Sequence, residues 1–340
     1  MKSKMITAPY LLFLGEAQDP IAVKTARGVA QWRPENCLGE YGLPGCTVSL
    51  GLPSMSPAAA AVLGAKTFVI GLANAGGTIS DSWIDAILEA LDSGMDVASG
   101  LHRRLKSVPV VRDRAATLGR RLLDIRFTDE ALPVGTGLPR TGRRLLTVGT
   151  DCSVGKMYTT LALEQAMRAR GMDANFRATG QTGILIAGAG LPIDAVVSDF
   201  ISGAVEKLTP NAAPAHWDLI EGQGSLFHPS YAGVSLGLLH GAQADALVVC
   251  HEPGRPHMRS LPHYPLPDLG ETIDANLAFA RRTNEAAALV GIALNTSALG
   301  KEEAYELCAD TARQYGVACT DPLRMGVDEI VTALESLPHS

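Results

Sequence analysis

The six cysteines, Cys37, Cys46, Cys152, Cys250, Cys308 and Cys319, include no CxxC pair. That scatter excludes a zinc ribbon and a dense disulfide scaffold, and it makes a reducing cytoplasm the expected compartment. No run of lysine or arginine is present, aromatics are only 5% of residues, and the net charge is -6. A nucleic-acid partner therefore has no electrostatic footprint. Apolar stretches break off well short of the roughly 20 residues of a membrane span, so no membrane association is expected. Lys2 and Lys4 precede an apolar run too short for a signal peptide, which reads as a first strand. GxGxxG is missing, and with it the dinucleotide fingerprint. No internal repeat is visible. What is left is a compact composition, 46% apolar and 19% charged, in 340 residues. That length suffices for two domains.

The most informative stretch is LLTVGTDCSVGKMYTT, residues 145–160. An apolar run predicts a buried parallel strand, Gly149 to Lys156 a glycine-bracketed loop, and Leu161, Leu163, Ala166 and Met167 the buried face of a helix. Strand, glycine loop ending in Gly-Lys, and helix make a phosphate-binding architecture. Backbone N–H groups of Thr150, Asp151, Cys152, Ser153 and Val154 would converge on the anion, and Lys156 adds a point charge. The pattern departs from the usual one twice. Five residues rather than four separate Gly149 from Gly155, and Met157 stands where a magnesium-binding hydroxyl belongs. Met157 argues against assuming phosphate cleavage. Cys152 reads either as a nucleophile at a helix N-terminus or as a small loop-filling side chain.

Around this motif the chain alternates strand and helix. Residues 1–135 predict a Rossmann-like domain, 136–143 (Gly/Pro/Thr-rich) a linker, and 144–340 a P-loop α/β/α domain with a mostly parallel sheet. In the first domain, strands are expected at 10–14, 46–50, 67–72, 96–98 and 124–127, with Lys24 on or near the first helix. Gly76 and Gly77 form a loop at a strand end, where α/β sheets bind ligands. In the second, residues 177–183 (RATGQTG), with Arg177 and Gln181, read as a polar loop able to close over a substrate. Residues 193–200 (IDAVVSDF) place Asp194 and Asp199 around an apolar core, with Asp199 at the end a candidate site acid. Glu221 ends a short strand before GQGS, a position suited to a metal-holding or proton-accepting carboxylate. Ser225 and His228 share that loop. The segment 251–267 carries three histidines with no HExxH spacing, so it reads as an anion-binding loop in which Arg255 and Arg259 clamp carboxylates or phosphates, not as a metal site. Asn295 follows the last strong strand, where a nucleotide base would sit.

The loop GTDCSVGKM and the segment EGQGS resemble those of dethiobiotin synthetase and its relatives. A wider resemblance covers nearly the whole chain. Val23-Lys24-Thr25, GLH at 100–102, GTDCSVGKM at 149–157, TGQTG at 179–183, EGQGSLFHPSY at 221–231 and HEPGR at 251–255 are similar to the DUF1611 family. The resemblance implies an N-terminal Rossmann-like domain, a C-terminal P-loop domain, and N-acetylation of D-glutamate by acetyl-CoA. Coenzyme A would let a phosphate loop hold its ligand without cleaving it, consistent with Met157. On that reading Gly149, Gly155 and Lys156 take the CoA phosphates, and Glu221 or Asp199 is the base. Arg255, Arg259 and Arg177 take the substrate carboxylates, and Lys24 or His228 completes the site. Two other readings remain at this point: a Mg-ATP-dependent kinase or ligase, and a non-enzymatic nucleotide or CoA sensor. Self-association is the expectation for an enzyme of this size.

Overall fold

The computed structural model describes residues 5–73, 77–128 and 130–338. Gly76 of the expected glycine pair lies outside them. The chain forms two compact units, Met1–Asp129 with Gly180–Ala195, and Glu130–Thr179 with Val196–Ser340.

In the first unit, β1 (Tyr10–Gly15), β2 (Cys37–Gly42), β3 (Thr67–Ile70), β4 (Asp96–Ser99) and β5 (Leu122–Asp124) form a parallel sheet in the order β2-β1-β3-β4-β5. Helices α1 (Lys24–Trp32), α2 (Pro57–Val62), α3 (Ile84–Asp92) and α4 (Pro109–Leu118) alternate with the strands. Tyr10 to Leu14 are all buried, as a strand covered on both faces requires, so the run is continuously apolar rather than alternating. Ser56 caps α2 by accepting from Ala59 N–H at 3.2 Å, with Pro57 at the first helical position. The segment expected as a strand at 46–50 is coil; the second strand lies earlier, at β2. Its Glu40 is buried because Ser49 Oγ and Leu50 N–H donate to its carboxylate, each at 2.7 Å.

The second unit opens with β6 (Arg143–Gly149), α5 (Lys156–Ala169) and β7 (Ala174–Arg177). The chain then contributes α6 (Gln181–Ala187) to the first unit, where Ile6 N–H donates to Gly188 O at 2.8 Å and Arg126 pairs with Asp194 at 3.1 Å. The loop expected at 177–183 is thus shortened by a helix whose Ile184, Leu185 and Ile186 are buried. Within residues 193–200 lie two short 3-10 turns, Ile193–Ala195 and Ser198–Phe200. Back in the second unit come α7 (Ile201–Leu208), β8 (Trp217–Ile220), α8 (Ala232–Ala242) and β9 (Ala246–His251). A hairpin of β10 (His257–Met258) and β11 (Leu261–Pro265) follows, then α9 (Leu269–Ala280), β12 (Ala288–Leu294), α10 (Lys301–Tyr315), β13 (Ala318–Thr320) and α11 (Asp328–Glu335). The sheet order is β13-β12-β9-β6-β8-β7, and every pairing in it is parallel. β6 is therefore interior, between β8 and β9, and its C-terminal end is where a ligand of an open α/β sheet belongs. No helix among the described residues is long and apolar enough to cross a membrane.

Candidate functional site

The loop after β6 starts hard against β9. Thr150 N–H donates to Cys250 O at 3.1 Å, and a Cβ at Gly149 would meet that same carbonyl oxygen at 2.7 Å. Only glycine fits there. Ser153 (φ 56°) and Gly155 (φ 106°) then turn the backbone through the left-handed region and into α5. The first turn of α5 has no side-chain cap and no acidic residue. A helix start so arranged accepts an anion.

Lys156 opens that helix and is only 6% exposed. Its Nζ donates to Asp151 O at 2.7 Å and to Gly224 O at 2.8 Å. Burial pushes its pKa below the ordinary lysine value, with nearby acids opposing. Two carbonyls thus hold an ammonium that an entering phosphate would attract more strongly. The second carbonyl comes from the loop after β8, and Gly222 makes that approach possible. A Cβ there would stand 1.7 Å from Thr147 O.

Met157 supplies no oxygen. Thr159 and Thr160 do not replace it, because their hydroxyls donate back along the helix, to Gly155 O at 3.0 Å and Lys156 O at 2.8 Å. The donor set fits a held phosphate and does not fit the usual magnesium ligation.

Asp151 is fully buried. Oδ1 accepts from Cys152 N–H at 2.6 Å. Oδ2 accepts from Arg259 N–H at 2.6 Å and from Arg255 Nη1 at 2.9 Å. Arg255 also donates to Cys152 O at 2.8 Å, to Ser153 O at 3.3 Å and to Glu252. Arg255, expected as a substrate clamp, braces the phosphate loop instead. Asn295 joins the same network through Glu252 Oε2 at 3.3 Å. His251 meets Thr150 Oγ1 at 3.1 Å through Nδ1, and burial depresses its pKa. A buried acid inside a phosphate loop is the one sequence signal for this network, since such a charge demands a cation close by.

Burial raises the Cys152 pKa despite the opposing charge of Lys156. Its thiol is therefore held protonated, which suits a loop-filling side chain better than a nucleophile. Asp151, Cys152 and His228 offer ligand atoms lying within 4.8 Å of one another. The carboxylate of that set already accepts from three donors.

Glu221 is 5% exposed at the end of β8, and Oε2 accepts from Thr179 N–H at 2.9 Å. Gln223 Nε2 donates to Thr179 Oγ1 at 3.0 Å. His228 is buried, 2% exposed, on the segment leading to α8. Arg177 Nε donates to buried Asp218 at 2.5 Å, and the Arg259 side chain is exposed at the hairpin turn. Asp199 is exposed on a 3-10 turn before α7. Lys24 is exposed at the start of α1, and Gln181 opens α6; both belong to the first unit.

Comparison with known proteins gives concordant results. The P-loop domain of DUF1611, a domain of unknown function (DUF1611_C), matches residues 133–331, and its Rossmann-like companion (DUF1611_N) matches residues 42–128. The chain is 53% identical over 329 residues to a D-glutamate N-acetyltransferase of Pseudoalteromonas sp, covering 97% of this chain and 99% of the relative. It is 50% identical over 333 residues to a D-glutamate N-acetyltransferase of Tritonibacter scottomollicae, covering 98% and 100%. Among solved structures, a DUF1611 family protein from Anabaena variabilis superposes with a TM-score of 0.81 at 33% identity, covering 97% of this chain and 99% of that one. Matched across both of its domains and over nearly its full length, this chain belongs to the DUF1611 family.

Proposed function

We propose that this chain is an amino-acid N-acetyltransferase that moves the acetyl group of acetyl-CoA to the amine of D-glutamate. The observation that carries the reading is a phosphate loop built to hold and not to cleave: glycine cradle, buried Lys156, and Met157 in place of the magnesium hydroxyl. Two relatives at 53% and 50% identity, both named for that activity, support the acceptor.

In this reading the loop from Gly149 to Met157 grips phosphates of coenzyme A, and Lys156 exchanges its carbonyl partners for them. The neutral amine of the acceptor attacks the thioester carbonyl carbon. The C–N bond forms, the C–S bond breaks, and the thiolate leaves. A base accepts the proton that the amine gives up. Glu221 is the better placed of the two candidates, since it is buried at a strand end beside the loop, whereas Asp199 stands in water. The acceptor's carboxylates need arginines. Arg255 and Arg177 are already committed to Asp151, Glu252 and Asp218, and the Arg259 guanidinium pairs with no carboxylate among the described residues. That favours Arg259.

The test is release of free thiol from acetyl-CoA on adding D-glutamate, with L-glutamate as control and with magnesium chelated. Thiol release dependent on D-glutamate is expected. ADP formation from Mg-ATP on adding an amino acid, with no thiol released, would replace the reading with an ATP-dependent ligase or kinase. Binding without turnover of either would leave a sensor.

A further inference from the structure

We propose that His228 is a fixed neutral hydrogen-bond donor, through Nε2–H, to an oxygen of the ligand that the phosphate loop holds. The inference rests on the acetyl-transfer reading for the identity of that ligand, and on geometry for the rest.

His228 Nδ1 accepts from the backbone N–H of Ser230 at 3.2 Å. A ring nitrogen that accepts carries no proton, so in the neutral ring the proton sits on Nε2. That Nε2 is buried and has no hydrogen-bond partner among the described residues. Asp151 Oδ1 is its nearest carboxylate oxygen at 4.0 Å, beyond hydrogen-bond reach. The Tyr231 ring lies against the imidazole, centroids 4.5 Å apart, and helps set its plane. A buried donor left unmade is costly, so an orphan of this kind asks for a partner.

Three partners are chemically conceivable at this place. A proton to be abstracted, or a metal ion, would need the lone pair on Nε2. Either would move the proton to Nδ1, against the Ser230 N–H. The metal reading meets a second obstacle in Asp151, whose oxygens already accept from Cys152 N–H, Arg259 N–H and Arg255. An acceptor oxygen has no such conflict. In the bound acyl donor that oxygen belongs either to a phosphate or to the thioester carbonyl, where negative charge grows during attack.

The experiment uses the full-length protein labelled with 15N-histidine, the His228 signal being assigned against His228→Gln. The expected spectrum shows the Nε2–H tautomer, and that resonance moves when CoA is added. An Nδ1–H tautomer, or a resonance unmoved at CoA saturation, overturns the proposal. His228→Ala should then separate the two oxygens. A phosphate contact weakens CoA binding by roughly tenfold, the order of one charge-assisted hydrogen bond. A thioester contact leaves the Kd for CoA in place and lowers kcat by a similar factor. His228→Gln, which keeps an N–H donor, should recover part of either loss. An Ala variant with both constants unchanged ends the inference, as does zinc binding that His228→Ala abolishes. Should the wild-type protein bind no CoA, the acetyl-transfer reading fails on its own. The same titration with ADP then decides the donor by whether Nε2 responds.

Discussion

β1 and β6 are both buried parallel strands that end on a glycine and lead toward a helix. After Gly15 comes Glu16, whose carboxylate accepts from Trp83 Nε1 at 2.7 Å and Ser82 Oγ at 3.1 Å. α1 opens well downstream, and its first turn is served by backbone: Ala26 N–H donates to Gly71 O at 3.1 Å. Gly71 allows this because a Cβ there would stand 2.3 Å from Ala26 Cβ. After Gly149 the helix opens at Lys156, uncapped, with a buried cation at its head. A strand, a glycine and a helix are therefore not enough. What makes an anion site is a first turn left for a ligand, with a buried cation at its head.

The contrast can be attacked at four points. Gly222→Ala sets a Cβ against the Thr147 carbonyl, a backbone atom that cannot swing away. It should cost about 3 kcal/mol or more in urea unfolding; a loss under about 1 kcal/mol would show that the two loops have room to part. Arg255→Ala leaves the buried Asp151 carboxylate without its main cation. A loss of about 2–3 kcal/mol is expected, with Asp151→Asn in the same chain restoring part of it. If the double variant is no better than the single one, the pair is not the reason.

Lys156→Met should weaken CoA binding by roughly 30- to 100-fold, read by calorimetry. The substitution also has a pH signature. Burial holds this lysine below its ordinary 10.5, so the unfolded chain binds the proton more tightly than the folded one. Stability conferred by Lys156 then rises with pH through that window. Wild type should gain on Lys156→Met as pH climbs toward 10.5, and a flat or falling difference contradicts the assignment. The smallest effect belongs to the other strand end. Gly15→Ala meets a positive φ of 54° and side-chain atoms at 3.1 Å, and should cost about 1–2 kcal/mol. CoA affinity should be unaffected by it; a weakened affinity would mean that the two strand ends are not functionally distinct.

Strands made of uninterrupted apolar residues were legible from sequence alone. ALVVC at β9 and the run at β12 could hardly be anything else. The phosphate loop was legible because its chemistry is local in sequence. β2 was not, since CLGEYG carries a buried glutamate whose partners lie at Ser49 and Leu50. α6 was hidden by glycines that suggested a loop, although Ile184 to Ile186 are buried. Arg255 was read as facing a substrate because nothing local tells an arginine that its partner is Asp151, far back in the chain. Periodicity reports burial; it does not report which distant charge a side chain will find.

The excursion of residues 180–195 has a consequence for how the protein is made. The N-terminal unit has no complete set of parts until that stretch has left the ribosome. By then β6, the phosphate loop, α5 and β7 have already emerged. On the sequence of synthesis, the half of the molecule begun first cannot be the half finished independently. A fragment ended at the Gly/Pro-rich stretch would leave Gly28 of α1 without the Thr182 and Ile186 side chains that pack against it.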